Sequence, residues 1–233
     1  QSFTMLNTAR EKIDWKRVWF AFIFWGIISS GMILAEYYMN PEAFAFNLKW
    51  QPFIILCIIA IILIPLQTSF EEYLFRGYLM QGLGVITRTK WFPLLFTSVV
   101  FGMLHIANPE VDKLGNIIMV YYIGTGLFLG IVTLMDEGLE LALGFHAANN
   151  VFTAVLVTAD WTAFQTHSVF KDLSDPTEAV LSDVLAPVLI IFPIILFIFA
   201  KVYKWTGWKE KLIGRVHDLP KDDYKILDEI GTE

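Results

Sequence analysis

Charge is scarce in this chain. Only 17% of its 233 residues are Asp, Glu, Lys or Arg, where a water-soluble domain carries about 25%. That scarcity, beside 56% hydrophobic residues and 20 Phe, excludes a disordered segment and a charge-laced coiled coil. The charge that is present leans negative: 17 basic against 23 acidic residues leave a formal net charge of -6. No surface for nucleic acid or another polyanion is expected. Cys57 is the single cysteine, which excludes a disulfide framework and a thiolate zinc cluster. Internal repeats, Gly/Ser linkers and low-complexity tracts are missing. The chain opens on Gln1 rather than Met, as a processed or truncated protein would.

What the chain has in abundance is uncharged length. With His counted as neutral, 18 uncharged residues lie between Arg17 and Glu36, 21 between Lys49 and Glu71, and 19 between Lys90 and Glu110. A further 22 lie between Lys113 and Asp136, 19 between Glu140 and Asp160, and 17 between Asp183 and Lys201. About 20 apolar residues carry a helix across the ~30 Å hydrocarbon core. Six such runs predict an all-α, polytopic transmembrane bundle of about six helices in the lipid bilayer. None is followed by a small-residue cleavage site and a soluble domain, so none reads as a signal peptide.

Basic residues set the expected orientation. Arg10, Lys12, Lys16, Arg17, Arg88, Lys90, Lys201, Lys204, Lys209, Lys211, Arg215, Lys221 and Lys225 fall on one side, and Lys49, Lys113 and Lys171 on the other. Thirteen against three predicts an integral, multi-pass protein with both termini cytoplasmic. Its parts are then a cytoplasmic N-terminal segment, 1–17, a transmembrane helical domain, 18–205, and a cytoplasmic charged tail, 206–233. The Asp160–Asp183 loop, with Lys171, Asp172, Asp175 and Glu178, is expected outside. Gly126 and Gly130 form a GxxxG helix-packing pattern, and Pro65, Pro187 and Pro193 are expected to kink their helices.

An ionisable group inside a span is costly and by default marks a functional site. Three segments hold such groups: Glu71-Glu72-Tyr-Leu-Phe-Arg76-Gly77, Phe101-Gly-Met-Leu-His105, and His146-Ala-Ala-Asn149-Asn150. Successive helical residues stand about 100° apart, so Glu71 and Glu72 should not face one point. Glu72 and Arg76 are i and i+4 with the acid first, the favourable order for an ion pair. Glu72 and Arg76 are therefore expected to clamp each other and leave Glu71 pointing elsewhere. His146 and Asn150 share a helix face, and Phe101 lies one turn before His105. With helix ends placed near Gly82, Phe92 and Leu139, Glu71, His105, His146 and Asn150 lie roughly 16, 20, 10 and 16 Å deep. They are expected to converge on one intramembrane cavity open to the cytoplasm. Singly, each has a bland reading as interfacial charge or helix glue. Together, a carboxylate, two imidazoles and an amide supply what water activation and oxyanion stabilisation need.

These segments resemble the CPBP family of intramembrane proteases, also called the CAAX prenyl protease and bacteriocin-processing (Abi) family. Its pattern is EExxxR, FxxxH and HxxxN or HxxxD on separate transmembrane helices. Here it reads Glu71-Glu72-xxx-Arg76, Phe101-xxx-His105 and His146-xxx-Asn150, in order, within residues 66–155. Family members usually have seven or eight helices against the six runs here. The resemblance implies peptide-bond hydrolysis with Glu71 as the base that activates water, assisted by His105. His146 and Asn150 would stabilise the oxyanion, with Glu72, Arg76 and Phe101 in support. The substrate would be a peptide or membrane protein, prenylated in true CAAX processing. No cofactor is certain; the alternative is a zinc enzyme with Glu71, His105 and His146 as ligands. The sequence places no supporting acid predictably behind either histidine, which favours the metal-free reaction. Two further alternatives are a non-catalytic immunity or scaffold protein and a proton-coupled transporter, the latter lacking the paired broken helices of an inverted repeat.

Overall fold

A computed structural model describes residues 3–176 and 181–217. Glu178, Lys221, Lys225 and the tail from 218 lie outside the described residues. The first uncharged run forms α2 (Trp15–Met39), following the short α1 (Phe3–Asn7). Asp14 caps α2 by accepting from the Lys16 amide at 3.0 Å. The second run forms α3 (Trp50–Glu72), which continues through a π-helical stretch, Tyr73–Leu79, into α4 (Met80–Thr87). The third gives α5 (Trp91–Met103). The fourth gives α6 (Pro109–Leu114) and α7 (Ile118–Asp136), and the fifth α8 (Glu140–Leu156). The last gives α9 (Leu181–Ala186), a π-helical stretch at Pro187–Ile191, and α10 (Phe192–Val202), before the short α11 (Trp208–Ile213).

Among the described residues, four helices are long and apolar enough to cross a membrane: Trp15–Met39, Trp50–Thr87, Pro109–Asp136 and Val184–Val202. Together with the outward-facing Ile58, Ile61, Leu66 and Phe70 of α3, they mark an integral membrane protein. The other two runs yield shorter rods. The 13 residues of α5 span only about 20 Å. After Met103 the helix gives way to tighter i→i+3 turns, His105 N–H to the Gly102 carbonyl and Ile106 N–H to that of Met103, and Asn108, before Pro109, is extended at ψ 144°, which closes the helical path there. The 17-residue α8 reaches about 26 Å and is buried along most of its length. The second rod ends later than expected, at Thr87, where Arg88 turns left-handed at φ 55°.

Helix α8 packs between α2 and α3, and α5 lies along α7. The core joins Trp25 of α2, Phe128 of α7, Phe145 of α8 and Phe192 of α10. Their rings stand 4.6 Å (Trp25–Phe145), 4.7 Å (Phe128–Phe145) and 4.6 Å (Phe128–Phe192) apart. The GxxxG pair lets α5 and α7 approach: a Cβ on Gly126 would stand 2.8 Å from the Ser98 carbonyl oxygen. One feature was not expected of an all-α chain. A small sheet, β1 (Phe44–Phe46), β2 (Val157–Thr158) and β3 (Phe170–Asp172), has the order β1-β3-β2. It pairs Phe44 with Asp172 antiparallel and Val157 with Phe170 in parallel.

At the end of the bundle that carries α1, Asp136 and Glu140 are buried and paired. Arg10 meets Asp136 at 3.0 Å and Glu140 at 3.1 Å, and Arg17 also binds Asp136. The Trp205 indole donates to Asp136 at 3.0 Å. Two of the basic residues that argue for orientation are thus bound to buried acids, tying the N-terminal segment to the α7–α8 corner.

Candidate active site

The π-helical stretch begins directly after Glu72. Such wide turns are uncommon and concentrate at functional sites. Glu72 and Arg76 are both buried, with fully shielded side chains, and pair at 2.9 Å, as their spacing predicts. The second guanidinium nitrogen, Nη2, donates to the Gly126 carbonyl of α7 at 2.9 Å. The guanidinium carbon stands 4.4 Å from the centre of the Phe101 ring. Arg76 therefore joins α3, α5 and α7 at one point.

His146 is where the structure departs most from expectation. Glu72 Oε1 accepts from Arg76 Nη1 and also lies 2.8 Å from His146 Nδ1. Across the same imidazole, His146 Nε2 stands 3.7 Å from Glu71 Oε2. The two carboxylates were expected to face apart; instead they flank opposite edges of one ring. The imidazole is wide enough to meet both, because its two nitrogens project in different directions. Glu72 is also an acid standing behind a histidine, which the spacing of the motifs does not foretell.

The bonds assign proton positions. Ion-paired with Arg76, Glu72 is a carboxylate and can only accept, so His146 carries a proton on Nδ1 and donates it to Glu72 Oε1. His105 lies in the turn after α5 rather than within it. Its Nδ1 is 3.0 Å from the Phe101 carbonyl, which can only accept, so His105 Nδ1 is likewise the donor and Nε2 is left as an acceptor. The His105 ring stacks on Tyr122 at 4.5 Å and 21°. Phe101, 2% exposed, lies between the two histidines, 5.1 Å from the His105 ring and 5.9 Å from that of His146. Gln67, one turn before Glu71, donates to Glu71 Oε1. Asn150 accepts from Asn149 at 3.2 Å.

Accessibility separates the acids. The Glu71 side chain is 22% exposed and that of Glu72 is 0%. Glu72 is thus shut off from solvent, its Oε1 held by Arg76 and His146 and its Oε2 buried without a hydrogen-bond partner, whereas Glu71 Oε2 and His146 Nε2 face each other across a gap too wide for a direct hydrogen bond. A zinc shell of Glu71, His105 and His146 does not fit: among the described residues no three His, Cys, Asp or Glu side chains form a group able to hold a metal ion. A cavity of about 600 Å³ borders Arg76 and is walled by Leu6, Met80 and Leu139, but its lining does not include Glu71, His105, His146 or Asn150. His167 and His217 are exposed and stand apart from the cluster.

Sequence reasoning missed Gln67, Tyr122 and the Gly126 carbonyl. Gln67 had a readable signal, the i, i+4 spacing to Glu71. Tyr122 had none, since its partner lies in a turn on another element.

Comparison with known proteins bears on this segment. Residues 48–152 match the family model described as type II CAAX prenyl endopeptidase Rce1-like. An uncharacterized protein of Bacillus subtilis (strain 168), YyaK, is 33% identical over 157 residues, covering 67% of this chain and 52% of YyaK. The chain thus spans about half the length of that curated relative. No solved structure matches it.

Proposed function

Through residues 48–152 the chain belongs to the Rce1-like family of type II CAAX prenyl endopeptidases, and on that premise we propose that it is an intramembrane endopeptidase in which Glu71 activates the attacking water. The observation that carries this reading is the sharing of His146 between a dry Glu72, whose Oε1 is bound to both Arg76 and His146, and a partly accessible Glu71. A base must be reachable by water and placed beside groups that stabilise the charge it creates.

In the proposed reaction, water sits against Glu71 Oε2, with the acceptor Nε2 of His105 helping to orient it. Glu71 takes a proton as the water oxygen attacks the peptide carbonyl carbon. The resulting oxyanion is met by the Asn150 amide and by His146 in its doubly protonated form, Nδ1–H donating to Glu72 and Nε2–H to the oxyanion. The C–N bond then breaks, and the proton on Glu71 passes to the leaving amine. Products are one carboxylic acid and one amine, with no covalent enzyme intermediate. Arg76 and Phe101 hold the pieces in register.

The proposed substrate is a peptide segment that reaches this depth of the bilayer, on a free peptide or a membrane protein, prenylated or not. The basic-residue bias supports an orientation with the α1 end cytoplasmic. Peptides released from membranes of cells with and without the protein provide the test. A reproducible set that depends on the protein supports proteolysis; identical catalogues would contradict it.

A further inference from the structure

An asparagine amide has an acceptor end and a donor end of nearly equal size, so packing alone does not choose which end faces a site. Asn150 faces this choice, and an oxyanion is stabilised only by its Nδ2 end. The indole N–H of Trp25, on α2, resolves it. That group only donates, and it lies 3.1 Å from Asn149 Oδ1. Asn149 Oδ1 must therefore point at α2, which turns Asn149 Nδ2 towards Asn150 Oδ1 at 3.2 Å.

The relay runs in one direction, Trp25 to Asn149 to Asn150. Its last bond engages the Asn150 oxygen and leaves the Asn150 Nδ2 protons outside the relay, one helical turn from His146. Trp25 is 6% exposed and stacks on Phe145 at 28°, so the first donor is fixed by the core. We propose that Trp25 and Asn149 are positioning residues that fix the Asn150 amide with its donor end towards the reacting groups. This inference rests on the protease reading for its catalytic consequence, but not for the direction of the relay. Trp25 lies outside the segment, 48–152, matched by the family model.

The test has two arms on the full chain in micelles. In the first, asparagine side chains carry ¹⁵N, and the Asn149 and Asn150 signals are assigned by their loss in Asn149→Leu and Asn150→Ala. The Asn149 side-chain protons, which donate, should exchange with water at least about tenfold more slowly than those of Asn150, the factor one hydrogen bond supplies. Equal rates, or slower exchange at Asn150, would overturn the relay whether or not the protein cleaves anything. In the second, Trp25→Phe keeps an aromatic ring against Phe145 and removes the donor. It should lower kcat about tenfold with KM unchanged, and should cost nothing further when Asn150 is already Ala. The expected exchange pattern with an unchanged kcat, or losses that add in the double variant, would overturn the positioning role. If the parent cleaves nothing, the protease reading fails while the exchange rates still decide the relay.

Discussion

Replacing Arg76 by Ala removes three contacts that converge on one buried guanidinium. Glu72 loses its 2.9 Å ion pair, the Gly126 carbonyl loses its donor, and the Phe101 ring loses the cation stacked on it. Breaking a buried pair by deleting one partner costs about 3–5 kcal/mol, because a charge stays behind without compensation. The unpaired carbonyl adds about 1–3 kcal/mol. In a protein of this size each kcal/mol moves the melting temperature by about 2–4 °C, so Arg76→Ala should melt at least about 8 °C below the parent. Activity should fall with it, since Glu72 Oε1 also holds His146. A thermal melt of purified protein in detergent, run beside a turnover assay, reads both. The double variant Glu72→Gln with Arg76→Gln removes both charges and should regain part of the lost stability. If Arg76→Ala melts with the parent yet is inactive, the clamp reasoning is wrong and Arg76 acts on substrate.

Two other outcomes follow from the same packing and charge pattern. Gly126→Leu places carbon against the Ser98 backbone where even a Cβ would stand 2.8 Å from oxygen; overpacking of this kind should cost about 1–3 kcal/mol, measured by thermal melt, and an unshifted melt would contradict the close α5–α7 approach. For orientation, a Cys57→Ala background with one new cysteine at Gln165, in the loop after α8, should react with an impermeant reagent from outside intact cells; labelling from the cytoplasmic side alone would reverse the proposed topology.

Much of the scaffold was legible because its signals are local. Each uncharged run became helical, and Glu72 and Arg76 pair because i and i+4 share a face in any helix. The failures are non-local. Asn108-Pro109 marked a break within the third run, but the uncharged run continued past it, and the earlier end of α5 at Met103 had no local signal. No local rule announces the π-helical stretch after Glu72, and the convergence of Glu71 and Glu72 on His146 depends on where α8 docks. Asp136 and Glu140 looked like the boundaries of apolar runs, whereas they are buried partners of Arg10 and Arg17. Trp25 carried no sign of its polar role. Within an apolar span it reads as packing, and its donor matters only because Asn149 faces it.

The central claim is that Glu71 is the water-activating base of a peptidase. Its most direct test is turnover of a released-peptide substrate by the purified protein in liposomes, compared with Glu71→Gln at matched melting temperature. Gln keeps the shape of Glu71 but removes its basicity, so turnover should drop at least about 10²-fold, the low end for acid–base catalysis, with substrate binding retained. A Glu71→Gln protein that folds like the parent and cleaves at a comparable rate would contradict the account.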